Sequence, residues 1–264
     1  MSKWLEAADR FEERRDYKDY FEMQSALGAI GKIQTLLDGT FRQLIFLIGE
    51  PGSGKTFLLN LLYNQWADKR HIVLLETPFL TPLNLLYQLI RHKGLKPEGD
   101  DMELLRLQVT ELYASSDHLI LIDEAQLLST EMREFIRILS DSKAFWFLLA
   151  MHRSEGEAIL RAPHFKSRPH RVVELFPLTA VEAKNYIHRE LIHMGFSEII
   201  DELNPKLIAK AHHLSQGNFR NFKKLFYHLF NLLHFTNTYN KTKYLRPSSC
   251  TLTMAAINAE LLND

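Results

Sequence analysis

The reading turns on FLIGEPGSGKTFLLN, Phe46 to Asn60. An apolar run ends in a cluster of glycines with a proline, a lysine and a threonine, and apolar helical spacing then resumes. Gly49, four further residues, then Gly54, Lys55 and Thr56 match the pattern G-x-x-x-x-G-K-[ST]. Glycines let the backbone turn its N–H groups inward with no Cβ in the way. Together with the N-terminus of the next helix, those groups form a preorganised anion nest. The candidate phosphate cradle is therefore Gly49, Glu50, Pro51, Gly52, Ser53, Gly54, Lys55, Thr56 and Phe57. Lys55 would reach the outer phosphates as a point charge, and the Thr56 hydroxyl is placed for Mg2+. The motif needs a strand before it and a helix after it. FRQLIFLIG and GKTFLLNLLYNQWA meet that requirement by their periodicity.

A phosphate loop needs a distant carboxylate to complete a metal site, and LILIDEAQ offers one. Asp123 ends an apolar strand, so its carboxylate lies at the C-terminal edge of a sheet, where ligands collect. It is the second candidate metal residue beside Thr56. Glu124 points differently and is the candidate for orienting a water toward a γ-phosphate.

Working outward, HIVLLE, HLILIDE, AFWFLLAM and RVVELF read as further strands. Helices are predicted from Ser2 to about Arg15, over Gln24–Leu37, from about Pro82 to His92, over Met102–Ser115 and over TEMREFIRILSD. Ser129 or Thr130 is the N-cap of the last of these. Nearly continuous apolar strands alternating with helices predict an α/β fold, a parallel sheet covered on both faces. After Phe176–Leu178 the pattern turns helical. The predicted segments are a helical lead-in (1–40), an α/β domain (41–177), a small helical lid (178–235) and a basic, polar C-terminal tail (236–264). The stripe Phe219, Phe222, Phe226, Phe230 and Leu233 has the three-and-four spacing of a packed helix face.

GEPGSGKT with LILIDEAQ resembles Walker A and Walker B of the AAA+ ATPases. More narrowly, DEAQ resembles the ExeA/MshM-type ATPases of secretion and type IV pilus systems, to which transposition ATPases of the TniB/TnsC/MuB kind are related. The resemblance runs from about Tyr17 to Phe235. It implies a three-layer P-loop sheet of strand order 5-1-4-3-2, a helical lid, and Mg2+-dependent ATP binding and hydrolysis. It also implies further site residues. His152, in FLLAMHRSE, matches a polar sensor at the end of the fourth strand. Arg168, with Arg171 in reserve, matches an arginine finger acting on a neighbouring subunit's ATP. Arg220, in LSQGNFRNFKKLF, matches a lid arginine that contacts phosphates. Tyr20 and Phe21 lie either near the adenine or in the packing of the first helix.

With 46% hydrophobic and 24% charged residues the composition is that of a globular chain, and its single cysteine, Cys250, allows no internal disulfide. No apolar run approaches the roughly 20 residues that span a bilayer. The expected location is cytoplasmic, peripheral to the inner membrane through a partner. No H-E-x-x-H spacing occurs, and the adjacent His212 and His213 cannot share a helix face, so structural zinc is not expected. EERRDYKDY reads as a solvated helix face. Formal net charge is zero, yet no acidic residue lies between Glu202 and Glu260. That span carries Lys206, Lys210, Arg220, Lys223, Lys224, Lys241, Lys243 and Arg246, which leaves an acidic body and a basic C-terminal part. Such asymmetry fits an anionic partner, or attraction between the two parts or between subunits. Three outputs follow. One is an ATP-dependent homo-oligomer, with its finger in trans, that drives a membrane-bound envelope machine. The second is a DNA-binding transposition regulator, with DNA held by the basic part. The third is a nucleotide-gated scaffold with little turnover.

Overall fold

The computed structural model describes residues 2–12, 21–39, 44–68, 70–75, 81–114, 118–162 and 170–262. Arg168, Tyr20 and most of EERRDYKDY lie outside the described residues. The chain divides into two compact units: Gln24–Glu50 with Gly54–Leu175, and Met1–Met23 with Pro51–Ser53 and Phe176–Asp264.

The first unit is built on five parallel strands, β1 (Leu44–Gly49), β2 (His71–Leu75), β3 (His118–Ile122), β4 (Trp146–His152) and β5 (His170–Leu175). Their order is β2-β3-β4-β1-β5, which is the 5-1-4-3-2 arrangement implied by the resemblance. β1 is an inner strand, pairing with β4 from Leu44↔Phe147 to Gly49↔His152 and with the edge strand β5 on its other side. Every residue of β1 and β3 is buried, as expected for strands covered on both faces. Because strand side chains alternate, Phe46, Ile48, Val73, Ile120, Phe147 and Leu149 share one face. They meet α4 (Pro82–His92), α5 (Met102–Ala114) and α6 (Thr130–Asp141). Elsewhere α2 (Gln24–Leu37) packs on β5, and α3 (Lys55–Trp66) on β1, β2 and β4. At about 25 cal/mol per Å2 of apolar surface, burial of these side chains is the main force holding the layers.

Three details differ from the sequence reading. β4 begins at Trp146 rather than Ala144 and runs through His152, so His152 is its last residue. A helix α7 (Arg153–Arg161) follows at once, where no helix was expected. Its sequence, RSEGEAILR, carries Gly156 in mid-helix, which costs about 1 kcal/mol relative to Ala. The glycine is needed for closeness: a Cβ there would lie 2.8 Å from Ile48 Cγ2. Third, the first helix, α1 (Lys3–Phe11), ends at its cap Glu12, and Arg15 lies outside the described residues.

The second unit is helical. It comprises α1, α8 (Ala180–His193), α9 (Ser197–Glu202), α10 (Pro205–Leu214), α11 (Phe219–Thr238) and α12 (Ser249–Asn258). Thr179 and Glu182 form a reciprocal capping box at the start of α8, which satisfies backbone donors left open by the helix end. The α11 stripe is core: Phe222, Phe226, Phe230 and Leu233 are fully buried. α1 packs on it. Trp4 stacks on Phe230 (5.9 Å), and Phe11 meets Phe226 and Phe230. Arg10 pairs with the buried Glu190, and Lys3 with Glu202 (3.0 Å). Phe21 packs as an aromatic neighbour of Tyr186 (5.2 Å) and Phe219, with Arg189 over its ring. In the C-terminal segment α11 continues to Thr238, and a closing helix, α12, opens at Ser249 behind a Ser248–Thr251 capping box. Among the described residues, no helix is long and apolar enough to cross a membrane.

Candidate functional site

The loop Gly49–Thr56 joins β1 to α3 at the C-terminal edge of the sheet. Gly52 (φ +75°) and Gly54 (φ +93°) occupy the left-handed region, where an L side chain is strained. A Cβ at Gly54 would meet nothing within 4 Å, so the space before it is open. Lys55 is buried. Its Nζ donates to the carbonyls of Gly49 (2.9 Å) and Glu50 (3.0 Å), which folds the ammonium under the loop. Ser53 Oγ is buried with no hydrogen-bond partner among the described residues. A buried orphan of this kind implies a missing ligand or water.

Asp123 follows β3 directly and is itself buried. Burial pushes its carboxyl pKa above the ordinary value. Hydrogen bonds from the Thr56 hydroxyl and the Glu124 backbone N–H (2.9 Å), and the Lys55 charge, oppose that shift. Thr56 and Asp123 are thus in contact, as the two-residue metal site requires. A cation between a hydroxyl and a desolvated carboxylate would offset the cost of burying the latter, so these oxygens fit a hard ion such as Mg2+.

Glu124 has φ +48°, unusual for a non-glycine residue and costing roughly 1–3 kcal/mol. Its Oε2 accepts from Gln126 Nε2 and lies 3.6 Å from His152 Nε2. Gln126 Oε1 in turn accepts from the His152 backbone N–H (3.3 Å). The structure therefore brings Lys55, Thr56, Asp123, Glu124 and His152 to one sheet edge. Arg220 is exposed at the second position of α11 in the helical unit, and Arg171 is exposed on β5.

Two residues of the edge escaped the sequence reading. Gln126 lay in the quoted DEAQ, but its spacing does not reveal where its amide points. Arg153, one residue past β4, ion-pairs with Glu50 of the loop (3.3 Å) and with Glu174 of β5. No motif signals it.

Residues 40–160 match the family model of the AAA domain. Over 186 residues the chain is 27% identical to general secretion pathway protein A of Aeromonas hydrophila. The match covers 66% of this chain and 34% of that protein, so the chain spans about a third of the length of this relative. Solved structures of similar fold include Cdc6p of Pyrobaculum aerophilum, with 15% identity and TM-score 0.64, covering 87% of this chain and 66% of that one. They also include Aeropyrum pernix ORC1 in complex with DNA, with 14% identity and TM-score 0.61, covering 96% of this chain and 69% of that one. At these identities the structures establish the fold alone. The loop geometry and the AAA match over residues 40–160 agree on a domain of P-loop type there.

Proposed function

We propose that the chain hydrolyses ATP at the Gly49–Phe57 loop and couples turnover to the assembly of a larger machine. The observation that carries this reading is the convergence of buried Lys55, buried Asp123 and Thr56 beneath an open loop with an orphaned Ser53 hydroxyl. In this scheme the loop N–H groups and Lys55 hold the β- and γ-phosphates. Thr56 and Asp123 hold Mg2+, which when bound would neutralise phosphate charge. Glu124 accepts a hydrogen bond from the attacking water, and His152 faces the γ-phosphate from the end of β4. Water adds to the γ-phosphorus as the bond to ADP breaks. Motif resemblance supports Arg168, with Arg171 in reserve, as a finger supplied to a neighbouring subunit, and Arg220 as a lid contact to phosphate. ATP then favours a homo-oligomer and hydrolysis loosens it.

The secretion-pathway relative supports an output at a bacterial envelope machine, reached through a membrane-bound partner from the cytoplasmic side. The test is ATP turnover and light scattering of the purified chain beside Glu124→Gln and Arg168→Ala. Magnesium-dependent turnover lost in Glu124→Gln, with ATP-dependent assembly lost in Arg168→Ala, supports the scheme. Turnover unchanged in Glu124→Gln refutes the role of Glu124, and a wild-type chain that binds ATP without turning it over leaves a nucleotide-gated scaffold.

A second reading, ATP-regulated DNA binding as in transposition regulators, is favoured by one surface. Phe235, on the last turn of α11, and Tyr239, at its C-cap, sit exposed, 4.6 Å apart. Exposed Lys241, Lys243 and Arg246 follow within the acid-free span. Aromatic rings flanked by cations suit nucleic acid. A steep loss of DNA affinity with added salt supports it, and no binding at low salt removes it.

A further inference from the structure

We infer that Gln126 is a positioning residue for the site, holding the Glu124 carboxylate and the end of β4 as one piece. The inference rests on the ATPase reading above and names a residue which that reading leaves without a role.

The orientation of the Gln126 amide is fixed by its partners. A backbone N–H can only donate, so the Gln126 oxygen must face His152 N–H. An ionised carboxylate can only accept, so the Gln126 nitrogen must face Glu124 Oε2. Flipping the amide would break both bonds. The short 3-10 turn Ala125–Leu127, entered through the left-handed Glu124, curls Gln126 back over its own i−2 neighbour. His152 Nε2, at 3.6 Å from the same carboxylate oxygen, is outside hydrogen-bond range, so Gln126 rather than the imidazole holds Glu124.

This tie has two consequences. The bond to Oε2 fixes the carboxylate plane and leaves Oε1 with its full acceptor capacity for a water. Anchoring on His152 N–H ties Glu124 to the strand whose last residue pairs with Gly49, the first residue of the phosphate loop. The water-orienting carboxylate and the phosphate cradle therefore share one rigid reference. Misplacing a reacting group by about 1 Å can cost on the order of 10^2 in rate, so a residue with no contact to substrate can still set turnover.

The experiment compares the full chain with Gln126→Leu, Gln126→Asn, Gln126→Glu, Glu124→Gln and the Glu124→Gln/Gln126→Leu pair. It measures kcat and KM for ATP, affinity for a fluorescent ATP analogue, and the thermal midpoint. Gln126→Leu is expected to lower kcat by roughly 10- to 100-fold, with KM and analogue affinity within about threefold. The double variant is expected to be no slower than Glu124→Gln, because a positioning group has nothing left to position. Gln126→Asn, which keeps the amide one methylene short, should fall between wild type and Gln126→Leu. Gln126→Glu, with a carboxylate facing Glu124, should be at least as slow as Gln126→Leu. The inference is overturned if Gln126→Leu or Gln126→Glu retains wild-type kcat. It is also overturned if kcat and KM shift together, or if the two losses multiply in the double variant. If Gln126→Leu does not fold, Gln126→Asn and Gln126→Glu decide it by the same kcat criterion. A wild-type chain without turnover would instead bring down the ATPase reading and this role with it, and a fully active Glu124→Gln would remove the role of Glu124 and with it that of Gln126.

Discussion

Strand β3 has a buried polar group at each tip, His118 as its first residue and Asp123 just past its last, and the two ends are organised on opposite principles. At the N-terminal end, His118 stacks on His71 (4.9 Å), its register partner on β2, and packs at a tilt against the Tyr113 ring (4.5 Å). Lys93 Nζ contacts its Nε2 and lies over Tyr113 (5.0 Å), and burial lowers the lysine's pKa. Burial pushes the Tyr113 hydroxyl up to about 12, and it donates to the Leu89 carbonyl (3.0 Å). These groups serve one another, on ordinary backbone. At the C-terminal end the backbone leaves ordinary conformations at Gly52, Gly54 and Glu124, and Ser53 Oγ goes unsatisfied. Burial of ionisable groups is common to both ends. Among the described residues of the two tips, the left-handed Glu124 and the orphaned Ser53 hydroxyl occur at the second, and these mark it as the working end.

The comparison is tested hardest by exchanging stability for activity. Lys55→Ala and Asp123→Asn should each lower ATP turnover by about 10^2-fold or more, measured by phosphate release. Asp123→Asn should leave the thermal midpoint equal or higher at neutral pH. The sign follows from the raised carboxyl pKa. Its contribution favours the fold below the ordinary carboxylate range and is lost as pH rises through the shifted value, so at pH 7 the buried charge weighs against folding. A large drop in midpoint would mean that this end, too, is chiefly structural.

The opposite result is expected at the other end. Tyr113→Ala should cost about 3–5 kcal/mol in denaturant unfolding, as truncation of a buried ring does, with turnover per folded molecule unchanged. Tyr113→Phe isolates the hydroxyl and should cost about 1 kcal/mol. Gly156→Ala is expected between these, roughly 1–3 kcal/mol, because the added methyl must displace Ile48 and outweigh the better helix propensity of Ala. Because Ile48 immediately precedes the phosphate loop, a fall in turnover with Gly156→Ala would show that α7 helps seat the loop.

What the sequence made legible divides along similar lines. Periodicity gave β1, α3 and β3, because each is a local pattern, and motif spacing picked out Lys55, Thr56, Asp123 and Glu124 because chain direction alone puts them at one sheet edge. The stacking of His118 on His71 depends on the β2–β3 register and was invisible. α7 was missed because RSEGEAILR has a central glycine and no clear apolar stripe, and the reason for that glycine is a contact with Ile48, more than a hundred residues earlier. The docking of α1 on α11 joins segments about 220 residues apart through aromatic faces that any partner helix could have taken. Gln126 was in plain view, but side-chain direction within a turn is set by the Glu124 dihedral, which composition does not encode.

The smallest effect falls at the border between the two ends. Ser129 caps α6 just after the Glu124–Leu128 turn, its Oγ accepting from Met132 N–H (3.0 Å). Ser129→Ala removes that acceptor and leaves the first-turn Met132 N–H without its cap, which should cost about 1 kcal/mol in denaturant unfolding. The backbone that positions Glu124 does not depend on this bond. Its turn is closed by Leu127 N–H to the Glu124 carbonyl (2.9 Å) and by the Gln126 amide. Turnover of Ser129→Ala under conditions where it is fully folded should therefore match wild type. A turnover loss larger than the stability loss would move the boundary. The start of α6 would then belong to the working end, and Glu124 would be held from behind by its helix as well as from the side by Gln126.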